Sequence, residues 1–582
     1  MRSRYSHLVA RAIIAAVMIA FVGLIGRLIL INAHDGPSLL SRARRQQRSV
    51  IPIKARRGFI VDARGRILTG TMLRRSVFAD PKILPDKDET ARQVSSILDL
   101  DAVEVGSDLI AAGDRRFFVI QRGVTEDQAD RIKAAGIYGL GVFDEPCRTY
   151  PMNDLAAPLI GFVSPDGTGV TGLERQCDAW LRGENGVKTI IRDARRKAFW
   201  LAEGGYRPAR DGLHVVLTID AEIQAIAERA VVSAVEEFGA ESAVAVVMQP
   251  RTGAILALAN VPGFDPNHYR DYSPDRYRNR AITDPFEPGS TFKPFVATGA
   301  LAEGMAGLDD MIDCEMGLWQ IGKRLLHDHQ PYGLLSFVDI VVKSSNIGMA
   351  KIGQRLGDRK LHDWVTRFGF GERTGIDLQA EDPGLVRPLE RWDDFSVTSV
   401  PMGQEISVTA VQLVRAFAVF ANGGLLVQPH VIRAVLDADG RLVNDFSNPP
   451  PVGRVVSEEI ATTLKNRILL AVVNRGTGRR AALTRYQVFG KTGTAQIARH
   501  RGRGYARDAY VGSFVGGAPA RNPQVVALVA IRRPQRSLGY YGGTVAAPAV
   551  RDILADTLAY LQVPPDEPAA PSTALSAAPP VE

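Results

Sequence analysis

A hydroxyl and an amine stand three residues apart in Glu287-Pro-Gly-Ser-Thr-Phe-Lys-Pro294, a spacing that suits a nucleophile and its base. Pro288-Gly289 breaks the preceding structure, and the apolar run Phe292, Phe295, Val296 and Leu301 predicts a buried helix starting near Ser290. Pro294 fits only in a first turn, which agrees with that start. Residues at i and i+3 share a helix face, so Lys293 Nζ is expected within reach of Ser290 Oγ. The helix N-terminus adds partial positive charge beside them, and a lysine desolvated there can be neutral and act as a base. Alone the signal is weak: about one or two S-x-x-K matches arise by chance in a chain this long, and a capped helix with a solvated lysine reads equally well. Ser344-Ser345-Asn346 and Lys491-Thr492-Gly493-Thr494 follow in that order and change the balance.

The elements that must position these groups belong to a chain of 582 residues, 46% hydrophobic and 23% charged, which predicts at least two folded units. A net charge of +8 with scattered arginines gives nucleic-acid binding little support and suits an anionic polymer or membrane surface as well. Leu8 to Ile31 is apolar apart from Arg11 and Arg27, and about 20 such residues span a bilayer. Both arginines lie near the ends, where long side chains snorkel. Ile31-Asn32-Ala33 is a poor cleavage site, so an uncleaved single-pass anchor is expected rather than a signal peptide. Arg2 and Arg4 precede the span while Arg42, Arg44, Arg45 and Arg48 follow it, so arginine counting does not orient it.

The three cysteines, Cys147, Cys177 and Cys314, form no C-x-x-C pair and no metal-site spacing, so no structural zinc is expected. Free thiols are favoured over a Cys147–Cys177 disulfide. Pro52 to Gly204 reads as short strands and turns, with a hairpin around Ala63-Arg-Gly65, a helix from Thr90 to Leu98 and no nucleophile–base pair. It reads as a pedestal or spacer, or a surface for a partner. From Asp211 a strand (213–219) leads to a helix capped by Asp220 and ended by Gly239. A hairpin around Arg251-Thr-Gly253, a helix from Thr409 to Asn422, and strands at 487–494, 511–515 and 525–531 follow. Helices mixed with hairpins predict an α/β domain on an antiparallel sheet. Arg499-His-Arg-Gly-Arg503 reads as a mobile basic loop, either solvated or polymer-binding, and the Ala/Pro/Ser stretch after Leu561 as disordered.

The three motifs together resemble those of serine β-lactamases and penicillin-binding proteins. With its anchor the chain is similar, over nearly its full length, to a class B penicillin-binding protein, a membrane-anchored peptidoglycan D,D-transpeptidase. Arg57-Gly58 with Asp62, Arg148-x-Tyr-Pro151, Gly172-Leu-Glu174, Thr218-Ile-Asp220 with Gln224, and Tyr540-x-Gly-Gly543 with Ala546-Ala-Pro548 resemble further family signatures. Asn279-Arg-Ala-Ile-Thr-Asp284 resembles the division-specific branch more than the elongation branch. Two positions depart from the pattern: Gln249 where Asp is usual, and Glu405 where Gly follows Gly403-Gln404, a change expected to alter backbone geometry near the site.

The resemblance implies residues 1–7 as a cytoplasmic tail, 8–31 as the transmembrane helix, 32–210 as a mixed pedestal of the dimerisation type, 211–562 as the transpeptidase domain and 563–582 as a disordered tail. It implies no cofactor and no metal. Ser290 would attack the penultimate D-Ala carbonyl, Lys293 would take its proton, and the N–H groups of Ser290 and Thr494 would hold the oxyanion. Ser344 would relay a proton to the departing D-Ala, Asn346 would hold the substrate amide and Lys293, and Lys491, Thr492, Gly493 and Thr494 would receive the terminal carboxylate. A second cation at Lys491 would favour neutral Lys293. Implied partners are stem peptides of nascent peptidoglycan, the cytoplasmic membrane, a membrane glycosyltransferase with other division proteins, and β-lactams. A β-lactamase needs a base for deacylating water that the sequence does not offer. A β-lactam sensor needs a cytoplasmic domain larger than the tail before Leu8. An elongation-type transpeptidase and a non-catalytic division scaffold are the remaining readings.

Overall fold

In the computed structural model the described residues are 2–36, 38, 41–42, 48–192, 198–499 and 504–566. The basic stretch at 500–503, Arg44 and Arg45, and the expected disordered tail from residue 567 onward lie outside them. The head of that tail does not behave as its composition suggests: Val563 O accepts from Tyr486 Oη at 2.7 Å, and Asp566 Oδ2 accepts from Gln487 N at 2.8 Å.

The N-terminal apolar run is one helix, Arg2–Leu30, which continues into a π-turn at Ile31–Asp35. The most apolar 18 residues within Tyr5–His34 have a mean hydropathy of 2.6, and none of them is buried in protein. Thirty residues at about 1.5 Å each exceed the roughly 30 Å of a hydrocarbon core, so the helix is long and apolar enough to cross one. The protein is therefore expected to stay with membranes through high-salt and carbonate washes and to release only in detergent. A mature N-terminus near His34, read by sequencing, would show cleavage instead.

The chain folds into two compact units, Met1–Arg56 with Gly183–Gly212, and Arg57–Arg182 with Leu213–Glu582. The first carries a three-stranded antiparallel sheet with Gly186–Arg192 between Arg48–Ile53 and Ala198–Arg207.

The second unit contains the three motifs. Its five-stranded antiparallel sheet runs in the order Ile255–Val261, Ser242–Met248, Val525–Arg532, Tyr505–Ala518, Phe489–Ala498. Both faces are covered, so the inner strands Ser242–Met248 and Val525–Arg532 read as near-continuous apolar runs, and alternate residues divide between two cores. Val244, Val246 and Met248 join Val526 and Leu528 beneath the helices Lys293–Ala302, Asn346–Arg367 and Ala410–Ala421. Ala245 and Val247 join Ala527 and Val529 beneath the helices Ala221–Phe238 and Ala547–Tyr560. The predicted caps are present. Asp220 accepts from Glu222 N and Gly239 ends its helix at φ 54°; the helix expected to start at Thr409 is also closed by a Thr409–Gln412 capping box, one not expected from the sequence.

A second sheet of the same unit joins the region after Arg57 to the C-terminal half. His214–Leu217 lies between Ile432–Leu436 and the parallel Ile60–Val61, which pairs in turn with Ile67–Ala79. Several of the scattered sequence signatures fall here into two ion-paired groups and one side-chain amide clasp. Glu174 is fully buried and receives Arg57 Nε and Arg148 Nε, each at 2.7 Å, while Arg57 Nη1 reaches Asp178 at 2.6 Å. Arg66 links Asp62 and Asp220, and the Gln224 amide pairs with Leu258 N and O at 2.7 and 3.1 Å. Buried charges persist only when paired in this way. The three cysteines are free, Cys177 and Cys314 buried and Cys147 half-buried.

Candidate active site

Ser290 sits in a one-turn 3₁₀ helix, Gly289–Phe292, that feeds directly into the α-helix Lys293–Ala302 with Pro294 in its first turn. Phe292 and Phe295 anchor this start against Phe368, Phe370 and Phe420. Gly289 has φ 54°, and a Cβ there would lie 2.8 Å from Thr494 O, so the turn needs glycine twice over. The Lys491-Thr-Gly motif lies on Phe489–Ala498, the edge strand of the five-stranded sheet, in register with Gly512 to Val515. Gly493 lets that strand approach the Ser290 turn, because a Cβ there would meet Ser513 Oγ at 2.5 Å and Pro288 O at 2.8 Å. Gly542, from the Tyr540-x-Gly-Gly543 stretch, donates its N–H to Thr494 Oγ1 at 3.1 Å and fixes the far end of the motif.

The Ser344-Ser345-Asn346 motif is the joint between the helices Phe337–Lys343 and Asn346–Arg367. Ser344 ends the first in the left-handed region at φ 62°, and Ser345 caps the second by accepting from Gly348 N. This break turns the Ser344 and Ser345 carbonyls, which a continuous helix would consume, toward Lys293. Lys293 is fully buried, and its Nζ lies 2.6 Å from Ser344 O, 3.1 Å from Ser345 O, 2.9 Å from Asn346 Oδ1 and 3.3 Å from Ser344 Oγ. Asn346 is itself oriented by donating Nδ2–H to His327 O at 2.9 Å.

The direct Lys293–Ser290 contact expected from the i, i+3 spacing is not formed. Three of the four acceptors around Nζ are pure acceptors, two carbonyls and an amide oxygen, and they draw the amine toward the helix joint. Ser290 Oγ has no hydrogen bond among the described residues. Burial pulls the Lys293 ammonium down to about 7, with Asp328 and Cys314 opposing the shift. That value leaves it divided between ammonium and amine near neutrality.

Lys491 is also fully buried, and its Nζ lies 3.0 Å from Ser344 Oγ, 3.0 Å from Thr492 O and 3.3 Å from Thr492 Oγ1. Burial, then repulsion from Lys293, hold its ammonium well below the usual lysine value. Repulsion between two such amines is mutual, so a charge on either favours the neutral form of the other. Thr492 Oγ1 is held by Thr477 Oγ1 at 2.7 Å.

Two neighbours of the site were missed in the sequence. Asp328 accepts from Ser345 Oγ at 2.6 Å, from Ile347 N at 3.2 Å and from Asn346 N, and so pins the start of the second helix. Burial, then Lys293, pulls the His329 imidazolium below its ordinary value, with Asp328 opposing, and its Nε2 pairs with Tyr332 Oη at 2.9 Å. Both follow the short strand Arg324–His327, at no motif spacing that would reveal them. Among the described residues no cluster of three or more His, Cys, Asp or Glu side chains is arranged to hold a metal ion.

Comparison with known proteins agrees with this geometry. The penicillin binding protein transpeptidase domain family matches residues 243–555, and the penicillin-binding protein dimerisation domain family matches residues 52–217. The chain is 30% identical over 555 residues to peptidoglycan D,D-transpeptidase FtsI of Escherichia coli, covering 94% of this chain and 91% of that one. It is 33% identical over 552 residues to stage V sporulation protein D of Bacillus subtilis, covering 94% and 85%. Penicillin-binding protein 3 of Mycobacterium tuberculosis, solved with aztreonam, superposes with a TM-score of 0.69 at 29% identity, over 89% of this chain and 99% of that one.

Proposed function

Since this chain belongs to the class B penicillin-binding proteins, we propose that it cross-links peptidoglycan stem peptides as a serine D,D-transpeptidase, through an acyl ester on Ser290. The observation that carries this reading is the Ser344 hydroxyl held between two fully buried lysine amines, 3.3 Å from Lys293 and 3.0 Å from Lys491. Neutral Lys293 takes the Ser290 proton as Oγ attacks the penultimate D-Ala carbonyl carbon. The amine first swings from the helix joint toward Ser290. The N–H groups of Ser290 and Thr494 receive the oxyanion. On collapse the C–N bond breaks, its electrons stay on nitrogen, and Ser344 passes the proton from Lys293 to the departing D-Ala. An acceptor amine then attacks the ester and gives up a proton by the same route, and Ser290 Oγ leaves with a proton restored.

Lys491, Thr492 and Thr494 hold the terminal carboxylate, with Gly493 allowing their strand to lie against the turn, and Asn346 holds both the substrate amide and Lys293. A carboxylate beside Lys491 favours its charged form. Ser344 Oγ, which hydrogen-bonds both amines, then offers a path for the proton leaving Lys293.

The N-terminal helix anchors the protein in the cell membrane, with residues 1–7 cytoplasmic and the catalytic domain outside. Residues 32–210 serve as a pedestal and 211–562 as the transpeptidase domain. The Asn279–Asp284 stretch supports a role at the division septum, beside a membrane glycosyltransferase and other division proteins, over a role in elongation. β-Lactams acylate the same serine. Membranes labelled with a fluorescent penicillin are expected to show one band at the size of this chain, lost in Ser290→Ala and kept in Ser345→Thr. A band that survives Ser290→Ala would place the nucleophile elsewhere.

A further inference from the structure

The segment from Gly403 to Val408 is laced to its neighbours on both sides. Toward the Ser290 turn, Gly289 N donates to Gly403 O at 3.1 Å, and Phe286 and Val408 exchange two bonds of 2.9 Å. Away from it, Leu385 and Ser407 exchange bonds of 2.8 and 3.0 Å. Glu405 stands in the middle with φ 64°, in the left-handed region that glycine enters freely and a glutamate does not. Its carboxylate accepts from Arg387 Nη2 and, at 2.9 Å, from Ser396 Oγ. Its own N–H donates to Glu287 Oε1 at 3.1 Å. Glu287 in turn accepts from Tyr505 Oη on both oxygens, at 3.3 and 3.0 Å. Tyr505 begins the Tyr505–Ala518 strand, and Glu287 lies three residues before Ser290.

Two carboxylates this close repel, and they coexist because each has its own donors: the guanidinium and a hydroxyl for Glu405, a phenol and a backbone N–H for Glu287. Burial pushes the Glu287 carboxyl above its usual range, which Tyr505 and the Glu405 N–H oppose. With residue 405 in the left-handed region, its N–H reaches Glu287. Ser290 Oγ has no hydrogen bond to set its direction among the described residues, so the backbone of its turn sets it.

We propose that Glu405 is a positioning residue for the Ser290 nucleophile: its carboxylate, held by Arg387 and Ser396, keeps residue 405 left-handed, and its N–H thereby fastens Glu287 and the turn to the Tyr505 strand. A glycine here would need no such clamp. Glu405 supplies through its side chain the backbone geometry that glycine takes without strain. The inference rests on Ser290 being the nucleophile.

The test is stopped-flow acylation of the full chain in detergent by a chromogenic cephalosporin, separating the non-covalent binding constant from the acylation rate constant and recording melting temperatures. Glu405→Ala, which loses the clamp and keeps the Cβ, is expected to lower the rate constant about tenfold or more with binding little changed. Glu405→Gly also loses the ion pair and melts lower than wild type, yet is expected to recover the rate constant to within about threefold of wild type, because glycine keeps φ positive. Tyr505→Phe is expected to slow acylation in the wild-type background and to add little on top of Glu405→Ala, since both break one chain of contacts. Equal rate constants for wild type, Ala and Gly would overturn the proposal. So would a loss shared by Ala and Gly that follows their melting temperatures. If wild type itself gives no adduct on the Ser290 peptide by mass spectrometry, the nucleophile assignment fails instead.

Discussion

Lys293→Ala is expected to leave Ser290 almost unacylated even under saturating β-lactam, with the acylation rate constant down by about 10³- to 10⁴-fold and binding largely intact. Lys491 is not expected to substitute: it starts from the edge strand rather than from the helix that carries Ser290, and its Nζ lies against Ser344 Oγ and Thr492 O and Oγ1. Lys491→Ala should instead weaken binding of carboxylate-bearing ligands, and a neutral-ended analogue should lose less. The wild-type pH profile carries a second signature of the same base. Lys293 must be neutral to take a proton, and burial brings it to about 7, so acylation should rise about tenfold per pH unit below 7 and flatten above it. A lysine left at its ordinary value would keep the rate rising to beyond pH 10. Equal loss of neutral-analogue acylation in the two lysine variants would overturn this division of labour, and a profile rising without a break to pH 10 would overturn the base assignment.

What the sequence revealed and what it hid follow from how local each feature is. The three motifs were legible because each is a short run whose residue types and order are read directly off the chain: Ser290-x-x-Lys293 behind the Pro288-Gly289 turn, then Ser344-Ser345-Asn346, then Lys491-Thr492-Gly493. The helix cap at Asp220 was legible for the same reason, since a cap is settled within four residues. The direction of the Lys293 amine was not. An i, i+3 spacing says which groups share a face, but two carbonyls freed by the Ser344–Ser345 joint, some fifty residues away, compete for the same amine. Asp328 was invisible because its task, holding Ser345 and the N–H groups of Asn346 and Ile347, is defined only once the Arg324–His327 strand has folded back on that joint. Glu405 lies between these cases: a glutamate at a glycine position flagged unusual backbone, whereas its clamp by Arg387 and Ser396 is a tertiary fact.

The acyl ester on Ser290 is expected to be long-lived in water and to be resolved by an amine. Transfer and hydrolysis share every step up to that ester, so the outcome depends on what reaches the carbonyl next. A hydrolase must aim a base at a bound water. The titratable groups around Ser290 are otherwise engaged: Lys293 in the helix joint, Lys491 with Ser344 and Thr492, Asp328 with Ser345, Asn346 and Ile347, His329 with Tyr332, and Glu287 with Tyr505 and Glu405. An acceptor strand held beside the edge strand Phe489–Ala498 would present its amine at an effective concentration far above that of a free peptide, reaching about 10⁵ M or more in well-oriented cases. A thioester donor mimic should therefore turn over faster when a D-amino acid or stem peptide is added, with the amide product rising at the expense of the hydrolysed one. The penicilloyl ester should persist for many minutes under the same conditions. Rapid deacylation with hydrolysed product alone, whatever amine is added, would move the assignment from transpeptidase to carboxypeptidase or β-lactamase, because the same Ser290 ester would then be open to water rather than reserved for an acceptor.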